Sequence, residues 1–174
     1  MFPSSIYKDR RNRLRNEVQE GLIFFPGNQE VSFNYPANTY AFRQDSSFLY
    51  FFGLDQPDLA GVMDLDGNHD ILFGNDVDMG DIIWMGQQPS MKERGAQIGV
   101  EETRPMDELE QLLRSAIDAG RKIHFLPPYR GETIIQISEL TGYPLAGIRS
   151  QASEELIKVV VKLRMKKDQL EIQE

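Results

Sequence analysis

The sequence predicts an α/β fold with a mixed β-sheet. Short apolar runs of strand length stand early in the chain and form a meander. Further along, strands alternate with segments whose apolar residues recur at helical spacing. The chain has 174 residues, of which 40% are hydrophobic and 26% charged, and these values are typical of one folded domain.

The first half of the chain supplies most of the predicted strands. A helix over residues 5–20, with Ser5 as its N-cap, precedes an apolar strand over residues 22–25. A polar loop is expected around residues 34–38. Residues 59–64 and 69–73 form a predicted hairpin, because the Asp-Gly pair between them favours a tight turn.

The second half alternates helices with one strand. Ser90 is the predicted N-cap of a helix through about residue 98, and a second helix covers residues 105–119. A strand follows over residues 122–126, then a helix over 131–141. Ser153 is expected to cap a last helix that ends near residue 165.

The charge distribution excludes several classes of partner. A net charge of -8 argues against nucleic acid and against anionic membranes, which are bound by clustered Lys and Arg. Basic stretches at residues 8–15 and 158–167 alternate with apolar residues, so we interpret both as solvated helix faces. No signal peptide and no membrane-spanning run is recognised, which favours a cytoplasmic protein.

Catalytic residue patterns are sparse. There is no cysteine, and the two histidines, His69 and His124, lack partners at metal-ligand spacing, which favours structural or surface roles. Asp76, Asp78 and Asp81 could hold a metal or act as acid–base groups, but a solvated acidic loop is the commoner outcome. The sequence therefore predicts no complete catalytic site in this chain.

Two segments are unusual for a plain structural domain. Between two aromatic runs, residues 40–53 place Tyr40, Arg43, Gln44 and Asp45 together, and buried polar groups require hydrogen-bond partners. We expect a buried Arg43–Asp45 network that stabilises the fold, with direct substrate contact as the alternative.

The second unusual feature is Trp84, the only tryptophan, which follows a loop rich in Gly and Asp. An aromatic residue on a loop is as suited to contacting a partner or ligand as to packing in the domain's own core. Both interpretations stay open.

These segments resemble the amino-terminal domain of Xaa-Pro aminopeptidases (aminopeptidase P) and prolidases, within the creatinase superfamily. The resemblance rests on three stretches of the sequence, which are YAFRQDSSFLYFFGL at residues 40–54 with Pro57 just after, IWMG at residues 83–86, and LRMKKDQLEI at residues 163–172. The first stretch is long and specific, and the order and spacing of the other two reinforce it.

The resemblance implies a mixed sheet flanked by helices and a two-domain metallopeptidase. Residues 1–160 would form the non-catalytic domain, and residues 161–174 the linker and first helical turns of a pita-bread catalytic domain. That second domain would carry two manganese ions held by two Asp, two Glu and one His. None of these ligand motifs falls within this chain, so the fragment alone is expected to be inactive and to bind no cofactor. Residues 168–174 keep a helix-forming composition without a cap, which favours a chain that continues.

The resemblance also implies partners and a role. The domain would narrow the active site for proline-containing peptides and support a homo-oligomer, a dimer or tetramer, while packing on the catalytic domain of the same chain. Trp84 matches a loop aromatic that lines the substrate site in this family. A prolidase or creatinase-type parent, or a stand-alone binding module without catalysis, remains the alternative.

Overall fold

The computed structural model describes residues 1–77, 83, 86–167 and 171–172. Seven strands lie in these residues, namely β1 (Leu22–Pro26), β2 (Ser32–Tyr35), β3 (Asn38–Thr39), β4 (Ala60–Asp64), β5 (His69–Phe73), β6 (Glu102–Arg104) and β7 (Ile123–His124). The principal helices of the same part of the chain are α1 (Ser4–Glu17), α2 (Ser46–Phe52), α3 (Met91–Gln97), α4 (Glu108–Asp118), α5 (Gly131–Thr141) and α6 (Glu154–Met165), with a short 3₁₀ helix at Ile148–Gln151.

Five of the strands form one mixed sheet in the order β6-β5-β4-β1-β7. The two inner pairings, β5 with β4 and β4 with β1, are antiparallel, and the two outer pairings are parallel. Val62 on the central strand pairs with Phe24 on one side and Ile71 on the other. The mixed sheet expected from the sequence is confirmed, as is the β4–β5 hairpin.

Helices cover both faces of this sheet. We call the face toward Ile23 and Phe25 the motif face, because α2 from the 40–53 segment packs there with α1, α3 and α6. We call the face toward Leu22 and Phe24 the opposite face, which α4, α5 and the 3₁₀ helix cover. Strand side chains alternate between the two faces, so β1 contributes buried apolar residues to both cores.

The helix boundaries mostly follow the local signals. Ser90 forms a capping box with Glu93 at the start of α3, and the side chain of Ser153 accepts a hydrogen bond from the backbone of Leu156 at the start of α6. α5 has the predicted bounds. α1 begins with Pro3 rather than Ser5 as its N-cap and ends at Glu17, and α4 begins three residues later than expected.

Three expectations about local structure hold only in part. The polar loop at residues 34–38 lies within a two-stranded hairpin of β2 and β3. The strand expected at residues 122–126 forms only two paired residues, in β7. The basic stretch at residues 8–15 is not a solvated face throughout, because Arg10 and Arg11 are 2% and 0% exposed. Within the described residues, no helix is both long and apolar enough to cross a bilayer.

Candidate functional site on the motif face

The 40–53 segment forms the capped helix α2. Asp45 is the N-cap, and its Oδ1 accepts hydrogen bonds from the backbone N–H groups of Ser47 (2.8 Å) and Phe48 (2.9 Å). Gly53 ends the helix at φ 70, a left-handed conformation, and a Cβ there would come within 2.2 Å of the Tyr7 ring. Both ends of α2 are thus specified by residues of the segment itself.

The most deeply buried polar residue of the segment is Gln44, which is 1% exposed, and Ser47 is also buried. Its Oε1 accepts from the backbone N–H groups of Asn28 (2.5 Å) and Asp45 (2.9 Å), and its Nε2 donates to the carbonyl of Gln56 (2.6 Å). The amide therefore joins the loop after β1, the start of α2 and the loop after α2. Because both polar atoms of the side-chain amide have hydrogen-bond partners, the amide can be buried without a large cost in free energy.

The expected Arg43–Asp45 buried network is wrong. Arg43 is exposed, and its described contact is through the backbone carbonyl, which accepts from Asn28 Nδ2 at 2.8 Å. The Asp45 carboxylate is turned toward the start of α2 instead. Tyr40, the first residue of the segment, is 56% exposed and lies edge-on to Phe33, with ring centroids 5.0 Å apart.

The buried charge on this face comes from α1. Arg11 donates from Nε to Asp70 Oδ2 at 2.8 Å, and its two terminal nitrogens donate to the carbonyls of Phe51, Ile98 and Gly99 at 2.8 to 3.1 Å. Burial lowers the pKa of Arg11, an effect that the charge of Asp70 opposes. This side chain ties α1 to the ends of α2 and α3 and to β5.

Arg10, the neighbouring residue, has different surroundings. Its guanidinium lies 4.0 Å from the centroid of the Tyr50 ring and 5.0 Å from that of Phe2, and donates to the Tyr50 carbonyl at 3.0 Å. No periodicity in the sequence separates Arg10 and Arg11 from the exposed basic residues of α1. Their burial depends on acceptors that lie 40 or more residues away.

The last turn of α6 is held by two residues of the 40–53 segment. The hydroxyl of Tyr50 donates to the carbonyl of Leu163 at 3.2 Å. Arg164 donates to Ser47 Oγ at 2.9 Å, and its guanidinium lies 5.7 Å from the centroid of the Tyr50 ring. The first and third stretches of the family resemblance are therefore in direct contact.

A cavity of about 260 Å³ opens beside this contact, where the parallel strands β1 and β7 end. Its walls are mainly apolar and include Phe25, Leu126 and Val160. Tyr129 donates from its hydroxyl to Asp45 Oδ2 at 3.2 Å on the wall of the cavity. Burial, followed by the Asp45 carboxylate, raises the pKa of Tyr129.

The other candidate residues do not converge on this cavity. His69 lies 3.4 Å from Glu102 at the sheet edge, and His124 is buried between Ser153 Oγ (2.8 Å) and the Glu20 carbonyl (3.1 Å). Asp76 accepts from the backbone of Met91 at the start of α3. Trp84, Asp78 and Asp81 lie outside the described residues. In the described part of the chain, no three His, Cys, Asp or Glu residues are grouped so that they could hold a metal ion.

The family model described as "Aminopeptidase P, N-terminal domain" matches residues 7–124. This chain belongs to that family. The match includes α1 from Tyr7 onward, the sheet as far as β7, and the whole 40–53 segment.

Curated proteins that are similar to this chain are named as Xaa-Pro aminopeptidases. The chain is 30% identical over 97 residues to a probable Xaa-Pro aminopeptidase of Metarhizium acridum, an alignment that covers 56% of this chain and 19% of that protein. It is 28% identical over 116 residues to the Xaa-Pro aminopeptidase of Escherichia coli, covering 62% of this chain and 25% of that protein. The chain thus spans a quarter or less of these relatives.

Solved structures of E. coli aminopeptidase P share the fold. The low-pH form superposes with a TM-score of 0.77 at 21% identity, covering 99% of this chain and 41% of that chain. A zinc-substituted form in complex with product gives a TM-score of 0.77 at 22% identity, with the same coverage. The mixed sheet flanked by helices, implied by the sequence resemblance, is confirmed.

Proposed function

We propose that this chain is the non-catalytic amino-terminal domain of an Xaa-Pro aminopeptidase, a peptidase that releases the amino-terminal residue preceding proline. In this proposal residues 161–174 connect it to a catalytic domain. The family membership supports the assignment, and the coverage of 41% of the E. coli chain is consistent with a parent of two domains.

One observation of the structure carries the proposal. The 40–53 segment holds the last turn of α6 through the Tyr50–Leu163 and Ser47–Arg164 hydrogen bonds. Leu163 and Arg164 belong to the stretch over residues 161–174 that connects the two domains in this proposal, so these hydrogen bonds join the segment to that connection. We therefore assign the segment the task of positioning α6, and with it the domain that follows.

In this proposal the two manganese ions would be held by the catalytic domain. The grouping of His, Asp and Glu that two manganese ions require is absent from the described residues of this chain. The domain's own share of the activity would be to restrict access to the active site and to support a homo-oligomer, a dimer or tetramer. Proline-containing peptides are the proposed substrates, and Trp84 the proposed substrate-lining residue.

The decisive experiment compares the parent protein with residues 1–174 alone, both with Mn²⁺, on an Xaa-Pro-Xaa tripeptide and an Xaa-Pro dipeptide. We expect the parent to release the first residue of the tripeptide and the fragment to release nothing. Turnover by the fragment would contradict the assignment of chemistry to the second domain. A parent that cleaves only the dipeptide would be a prolidase, and one that cleaves neither would favour a stand-alone binding module.

The role of Trp84 has its own test in the parent protein. Trp84→Ala is expected to lower tripeptide turnover with little change in melting temperature, and Trp84→Phe, which keeps an aromatic ring, to lower it less. A large drop in melting temperature with unchanged turnover would identify a core residue instead.

A further inference from the structure

Arg10 and Arg11 are adjacent in α1 and both are buried, but they contact different parts of the chain. Every described partner of Arg11 lies between residues 51 and 99, within the core of the domain. Arg10 also contacts a residue 161 positions further along the chain, because its Nη2 lies 3.3 Å from Oε1 of Glu171. Arg11 therefore links elements within the domain, whereas Arg10 links the domain to Glu171, beyond α6.

The side chain of Glu171 is largely covered, whereas Ile172 and Lys167 beside it are exposed. That side chain is 10% exposed, whereas Ile172 is 72% exposed and the side chain of Lys167 is 58% exposed. Burying a carboxylate costs free energy unless a cation compensates, and an apolar residue would be the ordinary choice for packing. Here the charged Glu171 is covered and the apolar Ile172 is exposed. This indicates that the charge of Glu171 determines which residue faces the domain.

The cation that faces Glu171 is also held by contacts within the domain. Arg10 is held over the Tyr50 ring and by the Tyr50 carbonyl, and Tyr50 also donates to Leu163. Lys167 adds a second positive charge 3.7 Å from the same carboxylate oxygen. An arginine with few remaining rotamers loses little entropy when it binds a carboxylate, so the pair is stronger than a typical surface ion pair.

We propose that the Arg10–Glu171 ion pair holds Glu171 against the motif face and so fixes the position of the chain at residues 171–172 relative to the domain. Arg10 acts as a positioning residue, presented by α1 and Tyr50. The proposal concerns residues 1–174 themselves and does not depend on peptidase activity.

The test is trypsin cleavage after Lys166 and Lys167 in residues 1–174, followed by mass spectrometry of the released carboxyl-terminal peptide. The cleavage rate reports how often the chain at residues 171–172 leaves the motif face. Synthetic peptides of residues 160–174, with Glu or Gln at position 171, supply the intrinsic rates. The variants are Arg10→Met, Glu171→Gln and the double variant.

We expect Glu171→Gln to raise the normalised cleavage rate by about tenfold, since removing one member of a buried pair leaves the other uncompensated. Glu154→Gln is the matched control, because Glu154 makes an exposed pair with Lys158 at 3.8 Å on α6, and it should change nothing. The double variant should cleave no faster than the faster single variant.

A Glu171→Gln variant that cleaves like the unaltered chain would overturn the proposal, and so would effects of the two single variants that multiply in the double. Because Arg10→Met removes packing inside the domain, its unfolding free energy is measured as well. If that variant fails to fold, the result for Glu171→Gln decides alone.

Discussion

The two faces of the sheet are stabilised in different ways. On the opposite face, α4 and α5 pack apolar residues such as Leu109, Leu113 and Ile137 against the strands. On the motif face, the apolar core is crossed by buried polar contacts from Arg11, Gln44 and Asp45. The described polar contacts of the opposite face are mostly local or exposed, such as Thr141 to Ile137 within α5, whereas those of the motif face join elements that are distant in sequence.

The two kinds of contact differ in what they specify, because hydrogen bonds and ion pairs depend on the direction of both partners and hydrophobic burial does not. Hydrophobic packing tolerates substitutions of similar volume, while a buried charge requires its own partners in place. Two further contacts of the motif face, from Tyr50 and Ser47, reach the carboxyl end of α6. We conclude that the opposite face serves stability, and that the motif face serves stability and the placement of α6 together.

The largest expected effect is that of Arg11→Met. The change leaves Asp70 without its buried cation and three backbone carbonyls without their donor, so the free energy of unfolding should fall by about 3–5 kcal/mol in urea denaturation. Arg114→Met on the opposite face is the matched control, because the Arg114–Glu110 pair is about half exposed and should contribute below about 1 kcal/mol. Equal losses in the two variants would remove the distinction between the faces.

Leu113→Ala probes the opposite face in the same way. Leu113 is fully buried, so its truncation should cost about 2–5 kcal/mol through lost transfer free energy and a residual cavity. Leu112→Ala, one residue away and only partly buried, should cost less. In the proposed parent enzyme, turnover well below the melting temperature is expected to stay unchanged in both variants, and a specific loss of turnover would assign a functional role to this face.

The N-cap of α2 gives a smaller effect. Asp45→Ala should lower the free energy of unfolding by about 1–2 kcal/mol, because two backbone donors at the start of α2 lose their acceptor. Asp45→Asn keeps the acceptor oxygen and should lose only a few tenths of that amount. If Asn proves as damaging as Ala, the negative charge beside Tyr129 matters more than the cap.

Arg43→Ala should have the smallest effect. The side chain is exposed, and the backbone carbonyl that binds Asn28 is unaffected by the substitution, so stability should change by no more than about 0.5 kcal/mol. Denaturation of this variant beside Asp45→Ala tests the corrected arrangement of the segment. A loss of several kcal/mol would instead support the buried Arg43–Asp45 network expected from the sequence.

The sequence specified the elements whose signals are local. The β4–β5 hairpin turns where Asp66-Gly67 predicts it, although its left-handed residue is Asn68 (φ 53) and not Gly67. α3 and α6 follow from Ser90 and Ser153, since each signal lies within a few residues of its effect. β6 was missed because its three half-buried residues become a strand only by pairing with β5. Arg10 and Arg11 were misassigned because their acceptors come from α2, α3 and β5, which no local pattern places nearby.

For the candidate site, too, the sequence revealed local features but not long-range contacts. The importance of the 40–53 segment was evident from its unusual composition, but the roles of its residues were not. Arg43 and Gln44 both have polar side chains in the sequence, and only the position of Asn28 and Gln56 determines which of them is buried. The contact of Ser47 with Arg164 spans 117 residues and could be found only in the folded chain.

The most direct test of the motif face is the kcat/KM of the parent enzyme on a tripeptide with proline second, measured for Arg164→Gln and Arg114→Gln. Both changes remove one positive charge from a helix, but only Arg164 contacts the 40–53 segment. We predict that Arg164→Gln lowers kcat/KM by about tenfold or more at a melting temperature close to that of the unaltered enzyme, because small displacements of a site are costly for catalysis. Arg114→Gln should retain full activity. Equal values of kcat/KM for the two variants would contradict the account.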